Sequence, residues 1–351
     1  MKPPSVALAL QGGGSHGAFT WGVLDRLLDA VDAGKLDISG FSGASAGAIN
    51  AALCAAGLAL GGPTLARAKL RAFWEGVARR GAAAGNALFG FAEPGLFGLN
   101  IDWSPGAILL EAAGLVVSPY SNPFYADVLA PLLRELFTKA DLAALNGAAA
   151  PRLFVSATNV GTNALKIFNQ PEISVDALRA SACLPAEFRA VQIGDAFYWD
   201  GGYLGNPALN PLLDVADDLL LVLVNPLAYD RAPPTSARQI LDRLNQITFN
   251  ASLVLELNAI EAVNKVLAAQ GDGAGGRYRQ IRLHLIRDEK FMQSLGFVSK
   301  SSTSPELIAT LFDKGRGVAD RWISAHLQDV GKTASVDPKA ALIAPVLKGS
   351  R

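Results

Sequence analysis

The chain has 351 residues, half of them hydrophobic, and its formal net charge at pH 7 is zero. This length suffices for one large α/β core, with or without a subdomain. The zero charge gives no support for nucleic-acid binding or for strong attraction to anionic membranes. Cys54 and Cys183 are the only cysteines and lie in separate apolar contexts, so neither a disulfide framework nor a metal site is predicted.

The first predicted element is a buried strand at Val6–Leu10, followed by the glycine-rich loop Gly12-Gly13-Gly14-Ser15-His16-Gly17 and an amphipathic helix. Glycines at a helix N-terminus let backbone N–H groups point into open space, where they bind a phosphate or the oxyanion of a tetrahedral intermediate. The loop also fits the dinucleotide pattern G-x-G-x-x-G. That pattern requires an acidic residue after the second strand, and a serine turn follows there instead, so the oxyanion interpretation is favoured.

The second strand, Ile38–Ser42, leads into Gly43-Ala44-Ser45-Ala46-Gly47 and a helix-like run from Ala46 to Leu60. Strand, sharp turn and helix form a nucleophile elbow, in which the serine hydroxyl stands at the tip of the sheet and the glycines avoid crowding. This context predicts acyl transfer or hydrolysis through Ser45. The alternative is a helix that Ser45 caps.

A serine hydroxyl needs a neighbouring base. The chain has three histidines, and none lies in a setting typical of a catalytic triad. Asp200 is the better candidate because it ends the aromatic strand Phe197–Asp200 and precedes Gly201-Gly202, an opening through which a serine could approach. The alternative is an ordinary Asp-Gly turn.

Four blocks in this order resemble the patatin-like phospholipases, lipid acyl hydrolases with a Ser-Asp dyad. The blocks are the Gly12–Gly17 loop, the Ser45 elbow, Ala180-Ser181-Ala182-Cys183-Leu184-Pro185 and Asp200-Gly201-Gly202. The resemblance implies that Ser45 is the nucleophile, Asp200 the base, and Gly12, Gly13 and Gly14 the oxyanion donors. It also places His16 and Cys183 near the substrate, and for Cys183 the favoured alternative is a small buried hydrophobic residue. Many members carry Arg or Lys where this chain has His16, so a positive charge beside the loop is absent or pH-dependent here.

Alternating strands and helices predict an α/β fold, and with the resemblance a three-layer α/β/α patatin-like fold. Its central sheet is mostly parallel and its architecture is of the α/β-hydrolase type. Further strands are predicted at Leu153–Ala157, Ala164–Phe168, Leu219–Val224 and Gln280–Ile286. Long helices are predicted at Ser236–Gln270, where a homodimer contact is an alternative to internal packing, and at Pro305–Leu327.

One hydrolase domain is expected over residues 1–331, followed by a loosely ordered tail at 332–351. Residues 81–123 are expected to form an apolar insertion or lid. Its Phe91 and Phe97 are candidates for binding the acyl chain and touching a lipid surface, with simple core packing as the alternative. The apolar run Ala51–Gly62 is too short to span a bilayer.

The sequence therefore predicts hydrolysis of a lipid or other fatty acyl ester through Ser45 and Asp200, without cofactor or metal. A strand begins after four residues, so no signal peptide is expected and the predicted location is cytoplasmic, with peripheral membrane contact. Two alternatives stay open: an acyltransferase that uses the same serine, and a non-catalytic nucleotide- or lipid-binding module.

Overall fold

The computed structural model describes residues 3–88, 118–123, 125–229, 232–270, 279–296 and 298–337, with only the main chain described for 81–88, 238 and 270. Eight strands form one sheet. They are β1 (Ser5–Leu10), β2 (Asp37–Gly43), β3 (Arg152–Asn159), β4 (Ala164–Phe168), β5 (Val191–Ile193), β6 (Ala196–Asp200), β7 (Asp218–Val222) and β8 (Arg282–Ile286).

The described residues also form eight α-helices. They are α1 (Gly17–Asp32), α2 (Ala46–Leu88), α3 (Leu129–Leu136), α4 (Lys139–Leu145), α5 (Val175–Ser181), α6 (Ala237–Gln270), α7 (Glu289–Ser294) and α8 (Pro305–His326). All the predicted strands and long helices are present, with ends displaced by a few residues.

The sheet is parallel where β3, β2, β1, β7 and β8 follow one another, and antiparallel where β3 pairs with β4 and β6. β2 and β6 pair with the same edge of β3: β2 with its first half and β6 with its second half. Val155 pairs with Gly43 of β2 and with β4 on the opposite side, whereas Ala157 pairs with Asp200 of β6 and again with β4. The carboxyl ends of β2 and β6 therefore meet head to head, two positions or about 7 Å apart along β3.

Helices cover both faces of the sheet, which confirms the predicted three-layer arrangement. Successive side chains of β1 alternate between the two layers: Val6, Leu8 and Leu10 pack with α1, α2 and α8, while Ala7 and Ala9 face α6. Because both faces are buried, these central strands are almost wholly apolar.

Helix α2 is long because two helices join across a kink at Gly61 and Gly62, where the backbone is not helical. The predicted helix Ala46–Leu60 is the first of the two. By length and composition the part Ala46–Arg80 could cross a membrane, but 56% of its most apolar window is buried inside the protein. This burial is typical of a core helix in a globular fold.

The predicted insertion and tail are described only in part. Residues 81–88 continue α2, and residues 89–117, which include Phe91 and Phe97, lie outside the described residues. In the tail, residues 332–337 lie beside β8, where the Ser335 N–H donates to the Leu283 carbonyl oxygen at 3.1 Å and Val336 packs against the core under α6. Residues 338–351 lie outside the described residues.

Candidate active site

Ser45 occupies the sharp turn between β2 and α2. Its φ of +54° lies in the left-handed region, which a residue with a side chain rarely adopts. Glycine is needed on both sides, because a Cβ on Gly43 would lie 2.6 Å from the Ala48 nitrogen and one on Gly47 would lie 2.2 Å from the Leu10 carbonyl oxygen. The main chain thus has the geometry of the predicted nucleophile elbow.

The strained turn is held from the end of α5. The Ser45 N–H donates to two oxygens of Ser181, the carbonyl oxygen at 3.1 Å and Oγ at 2.9 Å. The backbone N–H of Ser45 is therefore paired with protein, which leaves the hydroxyl as the group of this residue that chemistry can use.

Asp200 is held by three hydrogen bonds at the end of β6. Its N–H donates to the Cys183 carbonyl oxygen at 2.7 Å, and its own carbonyl oxygen accepts from Thr158 Oγ1 at 2.8 Å. The Gly202 N–H donates to its Oδ1 at 2.7 Å. Gly201 must be a glycine because a Cβ there would lie 2.1 Å from the Ser156 carbonyl oxygen.

The head-to-head arrangement of β2 and β6 brings Ser45 and Asp200 together. Both are buried, with exposed fractions of 6% and 0%. The Ser45 hydroxyl is close enough to the Asp200 carboxylate to lower its pKa, but Oδ2 of Asp200 has no partner of strict hydrogen-bond geometry among the described residues. The two side chains are thus in loose contact, as pairs in substrate-free active sites often are.

Burial raises the pKa of Asp200 to about 7, although the Gly202 N–H and the nearby Ser45 hydroxyl lower it, and the negative charge of Glu187 raises it further. A base whose pKa lies near neutrality can take a proton and return it at physiological pH. The carboxylate is therefore suited to general acid–base catalysis.

The glycine loop lies directly against the elbow, since a Cβ on Gly12 would be 2.6 Å from the Ala44 carbonyl oxygen and 2.8 Å from Ser45 Cβ. One part of the oxyanion prediction needs correction. The Gly12 N–H donates to Asn206 Oδ1 at 2.7 Å, so this amide is not free to bind an oxyanion. The N–H groups of Gly13 and Gly14 make no hydrogen bond within the described part of the chain.

His16 is buried, with 2% of its surface exposed. Its Nε2 lies 2.7 Å from Ser299 Oγ, which itself donates to the Gly296 carbonyl oxygen, so the hydrogen bonding assigns the proton of the neutral ring to Nε2. Burial, with the positive charge of Lys300, lowers the pKa of His16 to about 3. A positive charge at this position was predicted to be either absent or dependent on pH. With this pKa, His16 is uncharged at neutral pH.

Cys183 is 1% exposed, and its thiol donates to the Arg189 carbonyl oxygen at 3.2 Å. Burial, with the negative charge of Asp200, raises its thiol pKa to about 12. This burial fits the interpretation of Cys183 as a small buried hydrophobic residue. Its carbonyl oxygen has the clearer role, because it anchors Asp200.

In the described part of the chain, none of the three histidines is hydrogen-bonded to Ser45. His284 is buried between Asp218 and Ser335, with both contacts at 3.0 Å, and His326 contacts Asp329. Within the described residues no cluster of three or more His, Cys, Asp or Glu side chains could hold a metal ion.

Sequence reasoning missed the groups that hold the site. Ser181 accepts a hydrogen bond from the Ser45 N–H, and Thr158 donates one to the Asp200 carbonyl oxygen. Asn206 accepts the hydrogen bond of the Gly12 N–H. Ser181 lies in one of the four recognised blocks and Asn206 follows another, so their positions were a usable signal. Their uncharged side chains gave no sign of a chemical role.

The chain has a three-layer fold, with a strained serine elbow at the carboxyl edge of its sheet. This is the patatin fold. A family model for patatin-like phospholipases matches residues 8–213, and the chain belongs to this family. Membership supports lipid acyl hydrolase activity at a general level.

Among solved structures, the crystal structure of VipD from Legionella pneumophila is similar to this chain. The sequence identity is 16% and the TM-score 0.42, with 92% of this chain and 67% of the VipD chain covered. No match is found among curated proteins.

Proposed function

We propose that this protein is a serine esterase that hydrolyses fatty acyl esters of lipids, with Ser45 as nucleophile and Asp200 as general base. One observation carries the proposal: a serine with a φ of +54° stands next to a buried carboxylate whose pKa is about 7. Family membership supports the lipid acyl class of substrate.

In the first half of the reaction, Asp200 accepts the proton of the Ser45 hydroxyl as Oγ forms a bond to the ester carbonyl carbon. The carbonyl oxygen becomes an oxyanion, which the N–H groups of Gly13 and Gly14 stabilise. When the bond from carbon to the leaving oxygen breaks, Asp200 returns the proton to that oxygen. An alcohol or lysolipid leaves, and the acyl group stays on Ser45.

In the second half, a water molecule gives its proton to Asp200 and attacks the acyl carbon. The bond from the carbon to Ser45 Oγ then breaks, the proton returns to Oγ, and a fatty acid is released. A single carboxylate can serve both halves because its pKa near 7 allows it to hold or release a proton at neutral pH.

The test uses p-nitrophenyl esters of graded chain length and a fluorophosphonate probe, with Ser45→Ala and Asp200→Asn as variants. Ser39→Ala, in the same strand, and Asp195→Asn, in the β5–β6 turn, are the matched controls. We expect probe labelling at Ser45, loss of turnover in both site variants and normal turnover in both controls. Turnover retained by Asp200→Asn, or a probe attached elsewhere, would contradict the proposed dyad.

A second series with phospholipid vesicles and neutral glyceride emulsions identifies the head group that the protein accepts. The cytoplasmic location, the peripheral membrane contact and the homodimer stay predictions.

A further inference from the structure

Four buried amide side chains surround the glycine loop. They are Gln11 at the end of β1, Asn206 after β6, Asn225 after β7 and Asn250 on α6. Burying uncharged polar groups is costly unless each finds partners, so a cluster of this kind must be closely matched to the groups around it.

Asn206 and Asn225 hold both backbone groups of Gly12. Asn206 Oδ1 accepts from the Gly12 N–H at 2.7 Å, while its Nδ2 approaches the Gly12 carbonyl oxygen at 3.4 Å. Asn225 Nδ2 donates to the same carbonyl oxygen at 2.7 Å. An amide side chain carries an acceptor and a donor side by side, so it can accept from the N–H and donate to the C=O of one residue, which suits asparagine to position 206.

The Gly12 carbonyl shares a peptide plane with the Gly13 N–H. In a trans peptide these two groups point in opposite directions. When Asn206 and Asn225 bind the carbonyl oxygen, they also fix the direction of the Gly13 N–H, which points away from both asparagines.

Gln11 and Asn250 support this clamp from behind. Gln11 Oε1 accepts from the N–H groups of Val224 and Asn225 at 2.9 and 2.8 Å, and its Nε2 donates to Asn250 Oδ1 at 2.8 Å. Asn250 Nδ2 donates in turn to the Pro226 carbonyl oxygen at 2.9 Å. The loop is thus tied to the ends of two strands and to α6.

From this geometry we infer that Asn206 and Asn225 are positioning residues for the oxyanion hole: they aim the Gly13 N–H at the oxyanion that forms on the ester bound to Ser45. The inference rests on the proposed function and adds to it two residues that do not touch the substrate. A clamp of this kind acts on the transition state, because the oxyanion exists only there, so its loss lowers kcat and leaves KM nearly unchanged.

The principal variant is Asn225→Ala. It removes the bond to the Gly12 carbonyl oxygen and little else, because Asn225 Oδ1 has no partner among the described residues and the backbone N–H keeps its bond to Gln11. Asn264→Ala is the matched control: Asn264 lies on α6, and its side chain also holds backbone groups of one residue, Ile281, at 2.8 and 2.9 Å.

We expect Asn225→Ala to lower kcat for a p-nitrophenyl ester on the order of 10- to 100-fold, as misplaced catalytic groups do, with KM within about twofold. Asn264→Ala should lower the thermal midpoint at least as much and keep its kcat. If the two variants lose kcat equally, or if Asn225→Ala keeps its kcat, the inference is overturned.

A second variant, Asn206→Asp, gives a readout that a purely structural role would not change. A protonated carboxyl keeps one acceptor and one donor of the amide, whereas an ionised one places an oxygen without a proton against the carbonyl oxygens of Gly12 and Phe249. The ratio of its kcat to that of the wild type should therefore rise as pH is lowered, and a ratio independent of pH contradicts the inference. If the wild type itself neither turns over esters nor labels at Ser45, the proposed function is wrong and the inference is overturned with it.

Discussion

The backbone N–H of Ser45 donates to both the carbonyl oxygen and the hydroxyl oxygen of Ser181, at 3.1 and 2.9 Å. Two residues later the Cys183 carbonyl oxygen accepts from the Asp200 N–H at 2.7 Å. One short segment at the end of α5 therefore holds the candidate nucleophile and the candidate base together. This link explains why the Ala180–Pro185 block accompanies the other three blocks.

Ser181→Ala removes one of the two acceptors of the Ser45 N–H and keeps the other. We expect a loss of about 1 kcal/mol in the free energy of unfolding, the usual contribution of one hydrogen bond. The nucleophile should also lose alignment, with a fall in kcat of roughly 3- to 10-fold. Steady-state kinetics and chemical denaturation measure both quantities.

Ser39→Ala serves as the control for Ser181→Ala, because Ser39 Oγ donates to the Val6 carbonyl oxygen at 3.2 Å, near the end of β2 opposite to the elbow. It should keep its kcat. Equal kcat values for Ser181→Ala and the wild type would mean that Ser181 does not align the nucleophile.

The ionisation of Asp200 should govern how activity depends on pH. Only the carboxylate form can accept the Ser45 proton, and burial raises its pKa to about 7. We therefore expect kcat/KM to reach a plateau above pH 8 and to fall about tenfold per pH unit well below pH 7. Circular dichroism at each pH confirms that the protein is folded, and a flat profile from pH 5.5 to 8 would contradict this assignment.

Asp200→Asn should abolish turnover and stabilise the fold above neutral pH. Because the pKa of Asp200 is raised from 3.8 to about 7 in the folded state, its contribution to stability is fully present below pH about 4 and is lost as pH rises through 7. The neutral amide avoids this loss. We expect a gain of roughly 1 to 4 kcal/mol at pH 8, shrinking toward acidic pH.

Denaturant unfolding of the wild type and Asp200→Asn at pH 5, 6, 7 and 8 measures this difference. Asp195→Asn is the control, since Asp195 is exposed in the β5–β6 turn and its replacement should leave the pH dependence unchanged. An Asp200→Asn variant that is less stable than the wild type at pH 8 would refute the argument from burial.

Gly12→Ala tests the close packing of loop and elbow. The new Cβ would lie 2.6 Å from the Ala44 carbonyl oxygen and 2.8 Å from Ser45 Cβ, distances that force the backbone to move. We expect a loss of stability of about 1 to 3 kcal/mol and a fall in kcat of at least tenfold.

Gly317→Ala on α8 is the control for Gly12→Ala, because the added Cβ has no neighbour nearer than 3.9 Å. It should gain about 0.5 to 1 kcal/mol from its helix position and keep full activity. Loss of activity in Gly317→Ala, or full activity in Gly12→Ala, would contradict the packing described for the loop.

The sequence was sufficient to predict the sheet, its helical layers and the positions of Ser45 and Asp200. These features depend on local patterns: apolar runs, glycine turns and the four blocks. It was insufficient for the short strand β5, which has three residues, and for the continuation of α2 as far as Leu88. The predicted helix ended at Leu60, whereas in the structure Pro63 begins a second helix after the kink at Gly61 and Gly62.

The cluster of four buried amide side chains around the glycine loop could not be predicted from any local pattern. Gln11, Asn206, Asn225 and Asn250 are far apart in the chain, and uncharged amides are common in loops. The same limit applies to Gly12, whose N–H was predicted to face an oxyanion and is bound by Asn206 instead. Which N–H groups of a glycine loop stay free depends on side chains that only the tertiary structure brings near.

The shared edge of β3 also has a consequence for folding. Ser45 and Asp200 meet only after β2 and β6, from distant parts of the chain, have both paired with β3. Such long-range pairings form slowly compared with local contacts. A partly folded chain that lacks the β5–β6 hairpin therefore has its serine but no base, so fluorophosphonate labelling during refolding should report the completely assembled molecules.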